Sequence, residues 1–172
     1  GRRRRRGGRV VGSAGSDDKV QTLINDFGFD HAFNYRTDDP LTELKKGAPD
    51  GIDVYFENVG GPQLEAALTH MRPHGRIPIC GMIAHYNDHG EATPGPRNLT
   101  ETIYKFITLK GFVVSAFESK RAEFQQQMAG WIKSGDVRYE ETIFEGLASA
   151  PEAFIGLFSG ENKGKMLVHI AD

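Results

Sequence analysis

From Arg9 onward the sequence alternates short apolar segments rich in β-branched residues with amphipathic segments, and several apolar segments run out in glycine or a small polar residue. Strands that are apolar on both faces belong in a parallel sheet covered by helices. The alternation therefore predicts an α/β fold, a parallel sheet covered by helices. Val10–Ala14 reads as a strand and Ser16–Phe27 as a helix, with Ser16 as N-cap, Asp17 and Asp18 in the first turn, and Val20, Leu23, Ile24 and Phe27 on one face. Gly28 stops it. His31–Tyr35 is a short strand, Pro40–Lys46 a short helix and Ile52–Glu57 a strand, and Pro62 starts another helix. Arg76–Cys80 continues the sheet. The stretch from His85 to Arg97 is a loop too long for a simple connector, the kind that covers a ligand. Leu99–Leu109 reads as a helix, Gly111–Phe117 as a strand and Ser119–Lys133 as a longer helix; Tyr139–Asp172 then reads strand, helix, strand, with Met166–Ile170 last.

A hydrophobic content of 38% in 172 residues supports a folded core and argues against disorder. No run approaches the roughly 20 apolar residues of a spanning helix, and no apolar stretch follows the basic start, so neither a membrane partner nor a signal peptide is expected and the predicted location is cytoplasmic. Cys80 is the single cysteine. It can form no internal disulfide and no cysteine-based zinc site alone.

The net charge of -2 hides an asymmetry. Arg2 to Arg6 and Arg9 supply six positive charges, leaving 15 Lys and Arg against 23 Asp and Glu in the rest of the chain. An acidic body disfavours nucleic acid as a partner, while the arginine run alone would attract polyanions. Its other readings are a solvated tail or an artefact. Residues 1–8 are set apart as a basic leader. Five consecutive arginines cannot form a strand buried on both faces, so a dinucleotide sheet here is expected to lack its first strand and pyrophosphate turn.

Ligands of open α/β sheets bind at the carboxyl ends of the strands, and three of those ends carry chemistry. In Gly12-Ser13-Ala14-Gly15-Ser16-Asp17-Asp18-Lys19, glycines allow close approach and the following helix offers amide groups to an anion. Small residues lead to Ser16 and Lys19 without the acidic residue that holds the ribose hydroxyls of NAD, which favours a 2'-phosphate and hence NADP. In Glu57-Asn58-Val59-Gly60-Gly61, glycines clear space for a flat ligand and Asn58 offers an amide. Cys80-Gly81-Met82-Ile83-Ala84-His85-Tyr86 passes from the sheet into the long loop and brings a phenol to the same edge, with Cys80 alternatively a small buried hydrophobe. His70 and His74, and His85 and His89, are each four apart. Pro73 interrupts the first pair, the second lies in a loop and no third ligand is indicated, so no metal is expected.

These motifs, with Phe33-Asn34-Tyr35, Tyr86-Asn87, Pro94-Gly95-Pro96, Trp131 and Gly160-Glu161-Asn162-Lys163-Gly164-Lys165, occur in register. From about Gly7 to Asp172 the chain resembles the zinc-independent medium-chain dehydrogenase/reductase family, in particular its NADP-dependent prostaglandin, 2-alkenal double-bond and curcumin reductases. The resemblance implies NADP(H) as cofactor. It implies that Gly15 and Ser16 belong to the nucleotide turn, that Lys19 and Tyr35 hold the 2'-phosphate side, and that Asn58 and the turn Cys80, Gly81, Met82, Ile83, Ala84, His85 and Tyr86 line the cofactor. Phe112, Val113 and Val114 would flank the nicotinamide and Asn162 would reach back to it. Tyr86 and Tyr104 are the implied catalytic candidates, around the substrate carbonyl and in the pocket; packing without chemistry is the alternative for each.

The implied reaction is hydride transfer from NADPH to the β-carbon of an α,β-unsaturated ketone or aldehyde, followed by protonation at the α-carbon. Residues 9–138 would form the NADP-binding domain, a Rossmann-like doubly wound parallel sheet lacking its first strand, and 139–172 the segment that returns to a GroES-like catalytic domain. A homodimer is implied, with Gly111–Phe117 near the self-associating edge. Alternatives are a non-catalytic nucleotide-binding fragment, an assembly subunit or a polyanion-binding protein.

Overall fold

The computed structural model describes residues 8–86 and 94–170. In chain order it holds β1 (Val11–Ala14), α1 (Asp17–Asn25), β2 (His31–Asn34), α2 (Pro40–Gly47), β3 (Ile52–Val54), α3 (Gly61–His70) and β4 (Met71–Ile79). Then follow α4 (Glu101–Tyr104), β5 (Thr108–Gly111), α5 (Arg121–Lys133), β6 (Glu141–Glu145), α6 (Ala150–Ser159) and β7 (Lys165–His169). Every strand pairing is parallel, as helical crossovers require.

Local chemistry accounts for the better-defined helices. At α2 the Asp39 carboxylate caps the first turn by accepting from the Thr42 amide at 2.8 Å and its hydroxyl at 2.6 Å; Pro40 fixes the first helical residue, and Lys45 and Lys46 lie in the last turn. The two Thr42 bonds, with Lys45 nearby, hold the Asp39 carboxyl below the usual carboxylate range. At α1, Ser16 occupies the cap position in an extended conformation, but its side chain makes no capping bond.

The strands form three parallel ladders, β2–β1, β3–β4–β5 and β6–β7, the last within the segment 139–172 that the sequence sets apart from the nucleotide-binding sheet. The first two ladders share a helix layer: Phe33, Leu44 and Ala66 are buried together and pack on Val11 of β1 and Ile52 of β3. A second core joins Leu64, Leu68, Met71, Ile77 and Ile107.

One stretch departs from its predicted elements. The helix expected over Leu99–Leu109 is reduced to the four residues of α4, because Phe106 adopts φ +53° and Ile107 is drawn into the core. The sheet strand is Thr108–Gly111, placed there by Leu109 packing on that core, and Val114–Lys120 forms 3-10 turns where the predicted strand continues to Phe117. The arginine run Arg2 to Arg6 and the loop positions Asn87 and His89 lie outside the described residues.

Candidate functional site

The carboxyl ends of β1 and β2 gather the first cluster. The Tyr35 amide donates to the Ala14 carbonyl at 3.1 Å, which extends the parallel alignment one residue past β2. Asn34, buried at that corner, donates its side-chain amide to Asp17 at 2.8 Å and accepts the Arg36 amide at 3.1 Å. Asp38 accepts the Asn34 amide at 2.8 Å, so Asp17 and Asp38 are both engaged with Asn34. A phenol and a guanidinium stand nearest Gly15: a Cβ built there would lie 2.8 Å from the Tyr35 hydroxyl and 3.3 Å from Arg36 Nε. Lys19, half-buried in the first turn of α1, donates to the Gly160 carbonyl, and a Cβ on Gly160 would lie 3.6 Å from Lys19 Nζ and 3.7 Å from an Arg36 guanidinium nitrogen. Gly15, Lys19, Tyr35 and the turn holding Asn162 thus meet. Arg36 joins them without having been singled out in the sequence; its signal was a second cation directly after Tyr35.

The second cluster forms at the ends of β3, β4 and β5. The Cys80 and Gly81 amides donate to the Glu57 carbonyl at 2.9 and 3.3 Å, the Ile83 amide to Asn58 at 3.0 Å, and the Ala84 amide to Val59 at 3.0 Å. These bonds zip the Glu57–Gly61 turn to the Cys80–Tyr86 turn. A Cβ on Gly81 would stand 3.0 Å from the Tyr86 hydroxyl and 3.6 Å from Asn58 Oδ1, while one on Gly60, at φ +78°, would stand 2.8 Å from His85 Nε2. Gly81 therefore provides the floor over which Asn58 and Tyr86 approach each other. The Phe112 amide donates to the Ile79 carbonyl at 3.1 Å, and its ring packs edge-on against Phe56 and Phe117 at 6.0 and 5.8 Å. Val113 and Val114 follow it, exposed at the same strand end, and Met82 is half-buried against the β4–β5 core. Ile83 and Ala84 are exposed, and so is Cys80, contrary to the buried-hydrophobe alternative.

Glu57 is the residue the sequence reading undervalued. Its carboxylate is fully buried, and one oxygen accepts the Val59 and Gly60 amides, fixing the turn. The other oxygen has no partner among the described residues. The Tyr55 phenol nearby is pushed up, first by burial and then by the Glu57 charge. A charge ending an apolar strand was the available signal.

Tyr104 stands elsewhere. Its neighbour Lys105 donates to the Leu68 and Thr69 carbonyls at the end of α3, and the Lys105 carbonyl accepts the His74 amide near the start of β4. This is the amino edge of the strands, opposite Tyr86. The structure does not bring the two phenols together.

The chain matches the family described as "Zinc-binding dehydrogenase" over residues 4–134. The chain belongs to this family. It is 48% identical over 163 residues to the 2-alkenal reductase (NADP(+)-dependent) of Nicotiana tabacum, covering 94% of this chain and 47% of that protein. It is 47% identical, with the same coverage, to the (+)-pulegone reductase of Mentha piperita. The crystal structure of CurA in complex with NADPH from Vibrio vulnificus superposes with a TM-score of 0.85 at 36% identity, over 95% of this chain and 50% of that one. The chain spans about half the length of these relatives. The zinc in the family's description finds no fitting ligand set among the described residues: no group of three or more His, Cys, Asp or Glu side chains converges. His70 Nε2 bonds the Ala48 carbonyl at 2.7 Å, and the His74 ring stacks on Phe106 at 5.2 Å. No helix among the described residues is long and apolar enough to cross a membrane.

Proposed function

We propose that this chain is the nucleotide-binding half of an NADPH-dependent reductase of carbon-carbon double bonds conjugated to a ketone or aldehyde. The observation that carries the reading is the edge around Gly15 and Gly160, where Tyr35 and Arg36 stand against Gly15, Lys19 and Arg36 stand against Gly160, and Asp17 and Asp38 bond to Asn34. That donor set suits the 2'-phosphate that distinguishes NADPH from NADH, because a dianion is held best by several charge-assisted donors. The tobacco relative is named as NADP(+)-dependent and the Vibrio structure is a complex with NADPH, which supports the same reading.

Gly15 and Ser16 shape the adenosine end, and Asn58 with the Cys80–Tyr86 turn lines the path toward Phe112–Val114. When bound, the cofactor supplies hydride. The Tyr86 phenol is a hydrogen-bond donor at the exposed mouth of this edge, suited to hold a substrate carbonyl. Asn162 donates to the Gly164 carbonyl at 2.7 Å and so holds the turn that meets Lys19. Tyr104, at the opposite edge, is left out of the reaction. A homodimer joined along β5 and a cytoplasmic location complete the reading.

The test joins this chain to the amino-terminal half of the tobacco 2-alkenal reductase and supplies NADPH with a 2-alkenal. The saturated aldehyde is the expected product. An unsaturated alcohol, formed by reduction of the carbonyl instead, would contradict the assignment.

A further inference from the structure

Glu57 lies three residues past β3, and its amide donates to the Pro78 carbonyl of β4 at 2.9 Å. Its carboxylate is fully buried with one oxygen unpaired among the described residues. Such a group is costly inside a protein, and an apolar side chain of similar size would fill the same space more cheaply. The reason for an acid here therefore lies in the oxygen that is bonded. That oxygen accepts the Val59 amide and, at 2.9 Å, the Gly60 amide.

A peptide unit is a rigid plane whose N–H and C=O point in opposite directions. The plane carrying the Val59 amide also carries the Asn58 carbonyl, and the plane carrying the Gly60 amide also carries the Val59 carbonyl. Those two carbonyls accept the Ile83 and Ala84 amides, each at 3.0 Å. One carboxylate oxygen thus grips the near ends of two planes whose far ends hold the Ile83–His85 turn. The Tyr86 amide donates back to the Ile83 carbonyl at 3.3 Å, so the turn carries Tyr86 with it. The Tyr86 side chain is 69% exposed, and its place is set by the backbone it hangs from rather than by burial. We propose that Glu57 is a positioning residue: by orienting these two peptide planes it places the Tyr86 phenol over Gly81 and beside Asn58. That a phenol so placed serves the reduction rests on the reductase reading, whereas the placement does not.

Three forms of the 172-residue chain are compared by NMR: the parent, Glu57→Gln, which keeps an acceptor oxygen at the same reach, and Glu57→Leu, which fills the space without one. The parent is expected to show an Overhauser contact between the Tyr86 ring and the Gly81 α-protons. Glu57→Leu is expected to lose it, with amide exchange at Ile83 and Ala84 faster by about tenfold or more, and Glu57→Gln to retain both properties of the parent. The amide shifts of Gly15, Lys19, Tyr35 and Arg36 stay in place in all three. Joined to the tobacco amino-terminal half, Glu57→Leu is expected to lower kcat on a 2-alkenal by about tenfold or more, with the affinity for adenosine 2',5'-bisphosphate within about twofold of the parent and Glu57→Gln restoring most of the kcat. Four results would overturn the proposal: an undiminished contact in Glu57→Leu, an equal loss in Glu57→Gln, shifts at Gly15–Arg36 lost along with the contact, which would make Glu57 a residue of the whole fold, or an unchanged kcat in Glu57→Leu. A joined parent that does not reduce the 2-alkenal would overturn the reductase reading instead, and the NMR contact would still decide the placement.

Discussion

The Lys19 ammonium donates to the carbonyl of Gly160, 141 residues further along the chain. The bond ties the turn between α6 and β7 to the amino end of α1. It uses one of the three donors of the ammonium and leaves the others for an anion beside Tyr35 and Arg36.

Replacing Lys19 by alanine therefore has two expected effects. Affinity for adenosine 2',5'-bisphosphate falls about tenfold or more, the scale of a lost hydrogen bond to a charged group, while 5'-AMP binding is unchanged. Amide exchange in the Gly160–Gly164 turn becomes faster at the same time. Titration calorimetry and exchange measured on one preparation check both.

Gly15→Ala fills the cradle without breaking the fold. The new methyl meets the outer ends of the Tyr35 and Arg36 side chains, both exposed and able to turn aside, so stability is expected to move by no more than about 0.5–1 kcal/mol. Nucleotide affinity is expected to drop, because the displaced groups are those proposed to hold it. A variant that unfolds early, or binds as well as the parent, would contradict this role for Gly15.

Gly164 and Gly111 make a matched pair. Gly164 has φ +67°, and a Cβ there would run into the Glu140 carbonyl that already accepts the Lys165 amide; Gly111 has nothing within 4 Å of the same position. Gly164→Ala is expected to cost more than about 2 kcal/mol and to release the β6–β7 ladder, whereas Gly111→Ala stays within about 0.5–1 kcal/mol of the parent. Urea denaturation of the two variants compares them directly.

The Tyr55 phenol titrates above its ordinary value in the folded chain because of burial and the Glu57 charge. A group whose pKa is raised by folding contributes stability that is complete below the unfolded value, about 10 for a phenol, and is lost as pH rises from there toward the folded value. Stability should therefore fall on the alkaline side of about pH 10, and Tyr55→Phe should flatten that fall. Urea midpoints across this range in both proteins decide it; equal slopes would remove Tyr55 from the account.

Much of the fold was legible because each unit carries its own punctuation. Asp39-Pro40 opens α2, and Gly28 closes the α1 unit in a left-handed conformation. The segment from Leu99 to Phe117 was not legible, since its apolar residues satisfy a helical period while Phe106 and Ile107 follow the demands of the core. At the site, the turns were readable from Gly60, Gly81 and Asn58. Arg36 and Glu57 were not, because their roles depend on which strand ends meet. The same holds for Tyr104, whose distance from Tyr86 is a matter of which end of the sheet α4 precedes.

The edge formed by Lys19, Tyr35 and Arg36 is proposed to select a 2'-phosphate. The most direct measurement is isotope-edited NMR titration of the chain with adenosine 2',5'-bisphosphate against 5'-AMP. The account predicts tighter binding of the bisphosphate, with the largest shifts at Gly15, Lys19, Tyr35 and Arg36. Equal affinity for the two nucleotides, or shifts centred elsewhere, would contradict it.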